Sequence, residues 1–382
     1  MRTDVGRNGH QPKGALRTGD QIISPVTGGH RIRQLDAVRG IAILIVILHN
    51  EAGKYLPAGW APIFANGWMG VDLFFVLSGF LITGILLDTK GSHFIRDFYI
   101  SRCLRIWPLY YSLLLFMFVL VPLVRPEEAI EIFGERSQPW WSYLLFLQNF
   151  FVPIPQNAAG PLGVTWSLGI EELFYLLWPW VVRLSSHRTL LWTVIVVVAV
   201  SPALRIALDW YGVNLYANPF CRLDGLMAGA LLASVVRMDG FRATAFVTPA
   251  RMTLVVAALF ALVAESADAR WIAFSFVAIA SMAFVYLSLF DSHPWLRRIL
   301  CSRFLIYTGT ISYGLYLLHR IPFAALESWG GANDWFPAFC VGLLACYVLA
   351  FLSWHLLEQP FLSLRGFFPP PTRTTETKRL TR

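Results

Sequence analysis

The chain has 382 residues, 56% of them hydrophobic and 14% charged, with a formal net charge of +8 and a mean hydropathy of +0.57. Soluble globular proteins carry about 25% charge and 45–50% apolar residues, so this balance excludes an ordinary soluble domain. It also speaks against nucleic-acid binding, because the basic residues lie in short loops and tails between apolar runs, where membrane topology requires them.

Residues 1–33 are polar and Arg-rich, lack the apolar core of a signal peptide, and read as a disordered tail. The apolar runs then read as spanning helices are 35–50, 67–88, 104–124, 165–182, 189–208, 219–236, 249–265, 271–290, 304–323 and 336–357, judged against a hydrocarbon core of roughly 30 Å. A further run, 140–152, is too short to cross comfortably. Charge fixes the parity. With Arg2, Arg7, Lys13, Arg17, Arg31 and Arg33 inside, Lys90, Arg96 and Arg102 are inside too, and so are the Arg-rich loops around 183–188, 237–251 and 297–303, provided 140–152 does not cross. The stretch from Pro369 to Arg382 is a second tail. The expected fold is therefore an all-α polytopic membrane protein. Its bundle of about ten transmembrane helices over 34–362 has one extra short interfacial or re-entrant segment. Disordered cytoplasmic tails at 1–33 and 363–382 flank it, and it sits in the plasma (inner) membrane with both termini cytoplasmic.

A charge at the centre of a spanning helix costs about 2.5–3.5 kcal/mol on insertion scales. Toward the expected outer ends lie His49, Asp72, Glu171, Glu172, Arg205, Arg222, Asp224 and His319; toward the inner ends lie Asp36, Arg39, Arg102 and Arg105. Snorkelling or structural ion pairs, such as Asp72 with Arg222, account for any one of them. They account less well for the set, because Glu and His snorkel poorly. The set reads as a polar cavity opening outward. Ser78 is not in a G-x-S-x-G turn and reads as a hydrogen-bonding group within the bundle rather than a nucleophile. His and Cys are dispersed, so no metal site is expected.

Several segments are similar, in order, to the acyltransferase-3 family. They are Leu35-Asp36-Ala37-Val38-Arg39-Gly40-Ile41-Ala42 followed by His49, then Gly70-Val71-Asp72-Leu73-Phe74-Phe75-Val76-Leu77-Ser78-Gly79-Phe80-Leu81-Ile82, then Arg102-Cys103-Leu104-Arg105-Ile106-Trp107-Pro108-Leu109-Tyr110, and Thr165-Trp166-Ser167-Leu168-Gly169-Ile170-Glu171-Glu172-Leu173-Phe174-Tyr175. Weaker matches are Arg222-Leu223-Asp224-Gly225, Ser312-Tyr313-Gly314-Leu315-Tyr316-Leu317-Leu318-His319 and Glu358-Gln359-Pro360. The resemblance implies a membrane O-acyltransferase that moves an acyl group, acetyl by family frequency, from acyl-CoA to a hydroxyl of a sugar, glycan or glycosylated small molecule. Arg39 and His49 are the helix-1 residues the family depends on. Here they stand ten apart rather than the family's eleven, which leaves them roughly 80° apart around a regular helix. Some members carry a hydrolase-like domain after the last helix; this chain ends soon after its last apolar run, so such a domain is expected to be absent or separate.

Acyl transfer needs a base for the acceptor hydroxyl, donors for the oxyanion and a held acyl carrier. An imidazole suits the first task, which makes His49 the expected base, with an acyl-His intermediate left open. Glu171 is expected to orient it, as a carboxylate does in a triad. Arg102 and Arg105 are expected to bind the CoA phosphates. Asp72, Glu172, Arg222, Asp224 and His319 are candidates for holding the acceptor. The competing readings are a transporter or flippase, since intramembrane charges also mark substrate paths, and a structural or sensory membrane protein.

Overall fold

The computed structural model of the chain describes residues 16–18, 21–23, 32–55, 64–89, 94–124, 139–151, 160–328 and 336–367. Most of the two expected tails lies outside the described residues. Within the first, Leu16–Thr18 and Gln21–Ile23 pair as a short antiparallel ribbon, with Leu16 opposite Ile23. At the other end helix continues past residue 363 as far as Phe367.

Every other described element is helical. Helix α1 (Arg33–Ile47) runs on through a π-helical turn, Leu48–Ala52, to Tyr55. Helix α2 (Met69–Asp88) follows a 3-10 turn, Ala65–Trp68. Helix α3 (Phe94–Leu115) extends through a π turn to Val124. After the short α4 (Trp140–Leu144) come α5 (Thr165–Leu184), α6 (His187–Trp210), α7 (Leu223–Val235), α8 (Val247–Ser266) and α9 (Arg270–Phe290). The chain closes with α10 (Pro294–Leu300), α11 (Arg303–Thr310), α12 (Ser312–Leu318), α13 (Arg320–Ser328) and α14 (Phe336–Ser353), the last continued by a π turn at Trp354–Glu358.

Six helical stretches are long and apolar enough to cross a membrane: 65–88, 94–124, 187–210, 243–266, 270–290 and 336–367. The other four expected spans are helical but do not meet that description. The first carries Arg33, Asp36, Arg39, Glu51 and Lys54, which put three charges into any 18-residue stretch of it. The helix over 165–184 carries Glu171, Glu172 and Arg183. Helix α7 has 13 residues. Run 304–323 breaks at Ile311 and His319 into α11, α12 and α13. The segment 140–152 forms no long helix: a left-handed turn at Phe146 (φ 57°) separates α4 from a 3-10 turn at Gln148–Phe150. Irregular backbone at membrane depth survives only when buried in protein. Accordingly, Gln148 Nε2 donates to the Thr165 carbonyl at 2.9 Å, and Asn149 Nδ2 donates to the carbonyls of Trp166 and Ala217 at 2.8 Å each.

Helix α7 lies along α2, α8 along α9, and α1 between α2 and α11. Lipid supplies no hydrophobic drive between helices, so close approach and interhelical hydrogen bonds hold such bundles. A Cβ at Gly229 of α7 would lie 2.0 Å from the Val76 carbonyl oxygen of α2, so only glycine permits that contact. Trp178 Nε1 of α5 donates to Thr83 Oγ1 of α2 at 2.8 Å. Large apolar side chains are exposed along α6 and α8, Trp192, Val196, Val256 and Phe260 among them, as lipid-facing surfaces are.

Candidate active site

The ionisable residues that sequence reading grouped into one outward cavity fall into three separate arrangements. The first is a closed ion-pair layer between α2, α6, α7 and α9. Arg205 is fully buried and makes four hydrogen bonds: to the carbonyls of Trp271 and Cys221, to Ser275 Oγ, and to Asp224 Oδ2 at 2.9 Å. Ser275 Oγ in turn donates to Asp224 Oδ2 at 2.8 Å. Arg222 Nη2 donates to Asp72 Oδ2 at 2.8 Å, and its guanidinium lies among Trp68, Phe75, Trp166, Tyr216 and Phe274, at 3.9–5.9 Å from the ring centroids. The Asp72–Arg222 pairing expected from sequence is present. All four charges are sealed by protein, each at most 1% exposed, and none of them lines the cavity beside His49.

The second arrangement lies deeper. Ser78 donates to Glu171 and also meets the Tyr175 hydroxyl. Arg39 and Arg102 act electrostatically on Glu171, and Arg102 on Glu172. The Arg102 guanidinium sits 5.6 Å from the Phe98 ring centroid and 5.8 Å from that of Tyr175. Arg39 also donates to Asp36 at 3.1 Å. Glu171 is bonded here to Ser78, whereas His49 is bonded to the Phe64 carbonyl. Position 67, just ahead of α2, packs on His49, since a Cβ on Gly67 would lie 2.6 Å from His49 Cβ. Ser78 is eleven residues further along that helix, about 16 Å at 1.5 Å per residue. Glu171 therefore stands at the level of Arg39, half a bundle from the imidazole. Ser78, Glu171, Glu172, Arg102 and Arg105 are all half-buried rather than sealed.

The third arrangement surrounds His49. The π turn over Leu48–Ala52 carries His49 and Asn50 into the wall of a cavity of about 40 Å³. Trp68, Trp166, Tyr216 and Tyr316 supply its aromatic walls and Arg320 its cation. The His49 Nδ1 lies 3.0 Å from the Phe64 carbonyl oxygen. A carbonyl only accepts, so Nδ1 carries a proton and donates it, and in the neutral ring Nε2 is then the nitrogen with the lone pair. His319 is not in this wall. Its Nδ1 faces the Tyr316 and Leu315 carbonyls at 2.8 and 3.2 Å, its Nε2 accepts from Asn50 Nδ2 at 3.0 Å, and the ring is fully buried. It fixes Asn50 and the start of α13. Of the site residues named from sequence, only His49 lines this cavity.

Sequence reading missed Asn50, Arg320 and the aromatic walls. The one available signal was adjacency, because Asn50 follows His49 and Arg320 follows His319. No group of three or more metal-ligating side chains occurs among the described residues.

A family model described as an acyltransferase domain matches residues 32–355, which contain all three arrangements. The chain is 27% identical over 368 residues to the O-acetyltransferase OatA of Staphylococcus aureus strain NCTC 8325 / PS 47, covering 87% of this chain and 57% of that protein. It is 28% identical over 372 residues to YrhL of Bacillus subtilis strain 168, provisionally named a peptidoglycan O-acetyltransferase, covering 89% and 56%. The chain thus spans a little over half the length of these relatives. No solved structure matches it. The match runs from the residue before α1 into the π turn that follows α14, so helix 1 with Arg39 and His49, the α2 segment with Ser78 and the α5 segment with Glu171 all fall within a single domain model, and the chain belongs to the acyltransferase-3 family.

Proposed function

We propose that this protein is an integral membrane O-acyltransferase that passes an acyl group, acetyl in the simplest case, from acyl-CoA to a hydroxyl of a sugar or glycan. The observation that carries this reading is the state of His49. The Phe64 carbonyl holds its Nδ1 proton, so in the neutral ring Nε2 keeps the lone pair a general base needs, in a cavity wall rich in aromatic rings. In the step we envisage, Nε2 accepts the proton of the acceptor hydroxyl as its oxygen attacks the thioester carbonyl. The tetrahedral adduct then collapses, the C–S bond breaks, and the imidazolium returns the proton to the departing thiolate. Carbon, oxygen and proton balance without a further reactant.

The thioester approaches from the opposite end of the bundle. Arg102 and Arg105 offer bidentate donors suited to phosphate, and the positive-inside bias of the loops favours that end as cytoplasmic. From the level of Arg39 to His49 is ten helical residues, about 15 Å, a span an extended pantetheine arm covers. The half-buried Ser78, Glu171 and Arg102 lie along this route. The relatives' names support acetyl as the group and a glycan as the acceptor.

Purified protein in liposomes, given labelled acetyl-CoA and a mixture of glycosides, tests the reading. Label is expected on a sugar hydroxyl, and His49→Ala is expected to abolish it. Arg102→Ala and Arg105→Ala are expected to weaken acyl-CoA binding. Uptake of sugar with no covalent transfer would reject the reading in favour of transport.

A further inference from the structure

Arg320 is absent from every role given above, yet it is the permanent charge in the wall that holds His49. Its backbone is fixed, because His319 immediately before it has both ring nitrogens bonded. Its side chain is 15% exposed. A guanidinium offers five N–H donors, and Arg320 donates none of them in a hydrogen bond to a described residue. The nearest carboxylate oxygen, Glu51 Oε1, stands 3.9 Å from Nε, beyond hydrogen-bond reach.

The carboxylates nearby are shared with Lys54, although Glu51 Oε1, the oxygen that faces Arg320, has no hydrogen-bond partner. Glu51 is fully buried, and its Oε2 accepts from Lys54 Nζ at 3.1 Å; Lys54 also reaches Glu327 Oε1 at 2.8 Å. Glu51 therefore faces the Arg320 charge from one side, beyond hydrogen-bond reach, and Arg320 itself lines the cavity. Arg205, by contrast, has four bonds to fixed protein acceptors. Donors taken from bulk water and left without acceptors cost free energy unless water or a ligand meets them. The described residues lining the cavity include no carboxylate. Its volume of about 40 Å³ holds about three waters at 10–15 Å³ each, room for one small anionic group.

We infer that Arg320 is the specificity-determining residue of this site and that the acceptor bears an anionic group, carboxylate or phosphoryl, which docks on the free guanidinium beside His49 while the ring stays at the mouth. This rests on the acyltransferase reading for the word acceptor, but the binding it asserts is measurable without turnover.

Saturation-transfer NMR on the full chain in detergent, titrated with methyl β-D-glucoside, methyl β-D-glucuronide and methyl β-D-glucoside 6-phosphate, provides the test. The wild type is expected to bind an anionic sugar about tenfold more tightly than the neutral one, the size of one charge-assisted hydrogen bond. Whichever anion binds tighter identifies carboxylate or phosphoryl as the group. Arg320→Gln is expected to remove the preference and Arg320→Lys to keep part of it. Equal binding of all three sugars by the wild type, binding of neither anion, or a preference that survives in Arg320→Gln overturns the inference. Labelled acetyl-CoA added to the same samples separates the two claims. Selective binding with no transfer to any sugar defeats the acyltransferase reading and leaves the anion site standing. A fall in turnover that is equal for neutral and anionic sugars in Arg320→Gln, at unchanged binding, makes Arg320 an oxyanion donor and overturns its role in specificity.

Discussion

Two arginines of the bundle are treated in opposite ways. Arg205 is fully buried and bonded to two carbonyls, a serine and a carboxylate. Arg320, in the cavity, makes no such bond and faces its nearest carboxylate at 3.9 Å. The same contrast separates Asp224, bonded to Arg205 and Ser275, from His49, whose Nδ1 is tied down and whose Nε2 is left over. Arg205, with four bonds to protein acceptors, serves the fold, while Arg222 in the same layer keeps Nε and Nη1 unbonded against aromatic rings. Where capacity is left over beside a cavity, it is available to a ligand. Replacements on the two sides should therefore fail in different ways.

The largest expected effect is on the cavity side. His49→Ala is expected to lower acyl transfer by about 10²–10⁴-fold, the range for a general base, with thermal unfolding in detergent close to wild type, because the ring contributes one hydrogen bond at a half-buried position. Next comes the closed layer. Arg205→Met leaves Asp224 buried without its cation and is expected to cost about 3–5 kcal/mol of stability, seen as a lowered unfolding temperature before any assay of turnover. If instead His49→Ala unfolds the protein and Arg205→Met loses only activity, the division between the two sides is wrong.

Glu171→Gln sharpens the line. The carboxylate meets Ser78, Tyr175, Arg39 and Arg102 and lies half a bundle from His49. The amide keeps an acceptor for Ser78 but removes the charge that faces the two arginines. An effect on the order of tenfold, that of one charge-assisted contact, is expected in KM for acetyl-CoA, with the pH dependence of turnover unchanged. A displaced pH–rate profile with unchanged KM would mean that Glu171 does act through the imidazole.

Much of this was legible in the chain. Its membrane character followed from composition and the Asp72–Arg222 pair from charge placement. What failed to show had physical reasons. Hydropathy registers apolarity, so 304–323 reads as one span although its helix breaks at Ile311 and His319. A run of apolar residues does not reveal the 3-10 turn over Gly160–Val164 ahead of the Glu171 helix, nor which turn of α2 that helix meets. Asn50 and Arg320 reach the cavity because a π turn and a helix break aim them there, and the Asn50–His319 contact joins residues 269 positions apart. No local pattern encodes such a meeting.

The smallest expected effect lies at the rim, where an ion pair is neither sealed nor beside the cavity. Arg251 donates to Asp291 in a two-pronged contact, at 2.8 and 2.7 Å, and the His293 N–H adds a third bond at 2.8 Å. The Arg251 hydrogen bonds, with that N–H, hold the Asp291 carboxyl below the usual aspartate range, against the opposing effect of its partial burial. A lowered carboxyl pKa means that the folded state prefers the ionised form. The stabilisation is therefore complete above the unfolded aspartate value of about 4 and disappears as pH falls through the lower folded value. The Arg251 side chain is 47% exposed, so salt screens the pair and the gain stays small. Asp291→Asn is expected to lower the unfolding temperature slightly at neutral pH and low salt, with the gap to wild type closing both in acid and at high salt. The Arg205–Asp224 pair, shut away from solvent, should show no such salt response. If the Asp291→Asn gap resists salt as well, exposure does not separate the rim from the interior, and hydrogen-bond geometry alone sets the strength of these pairs.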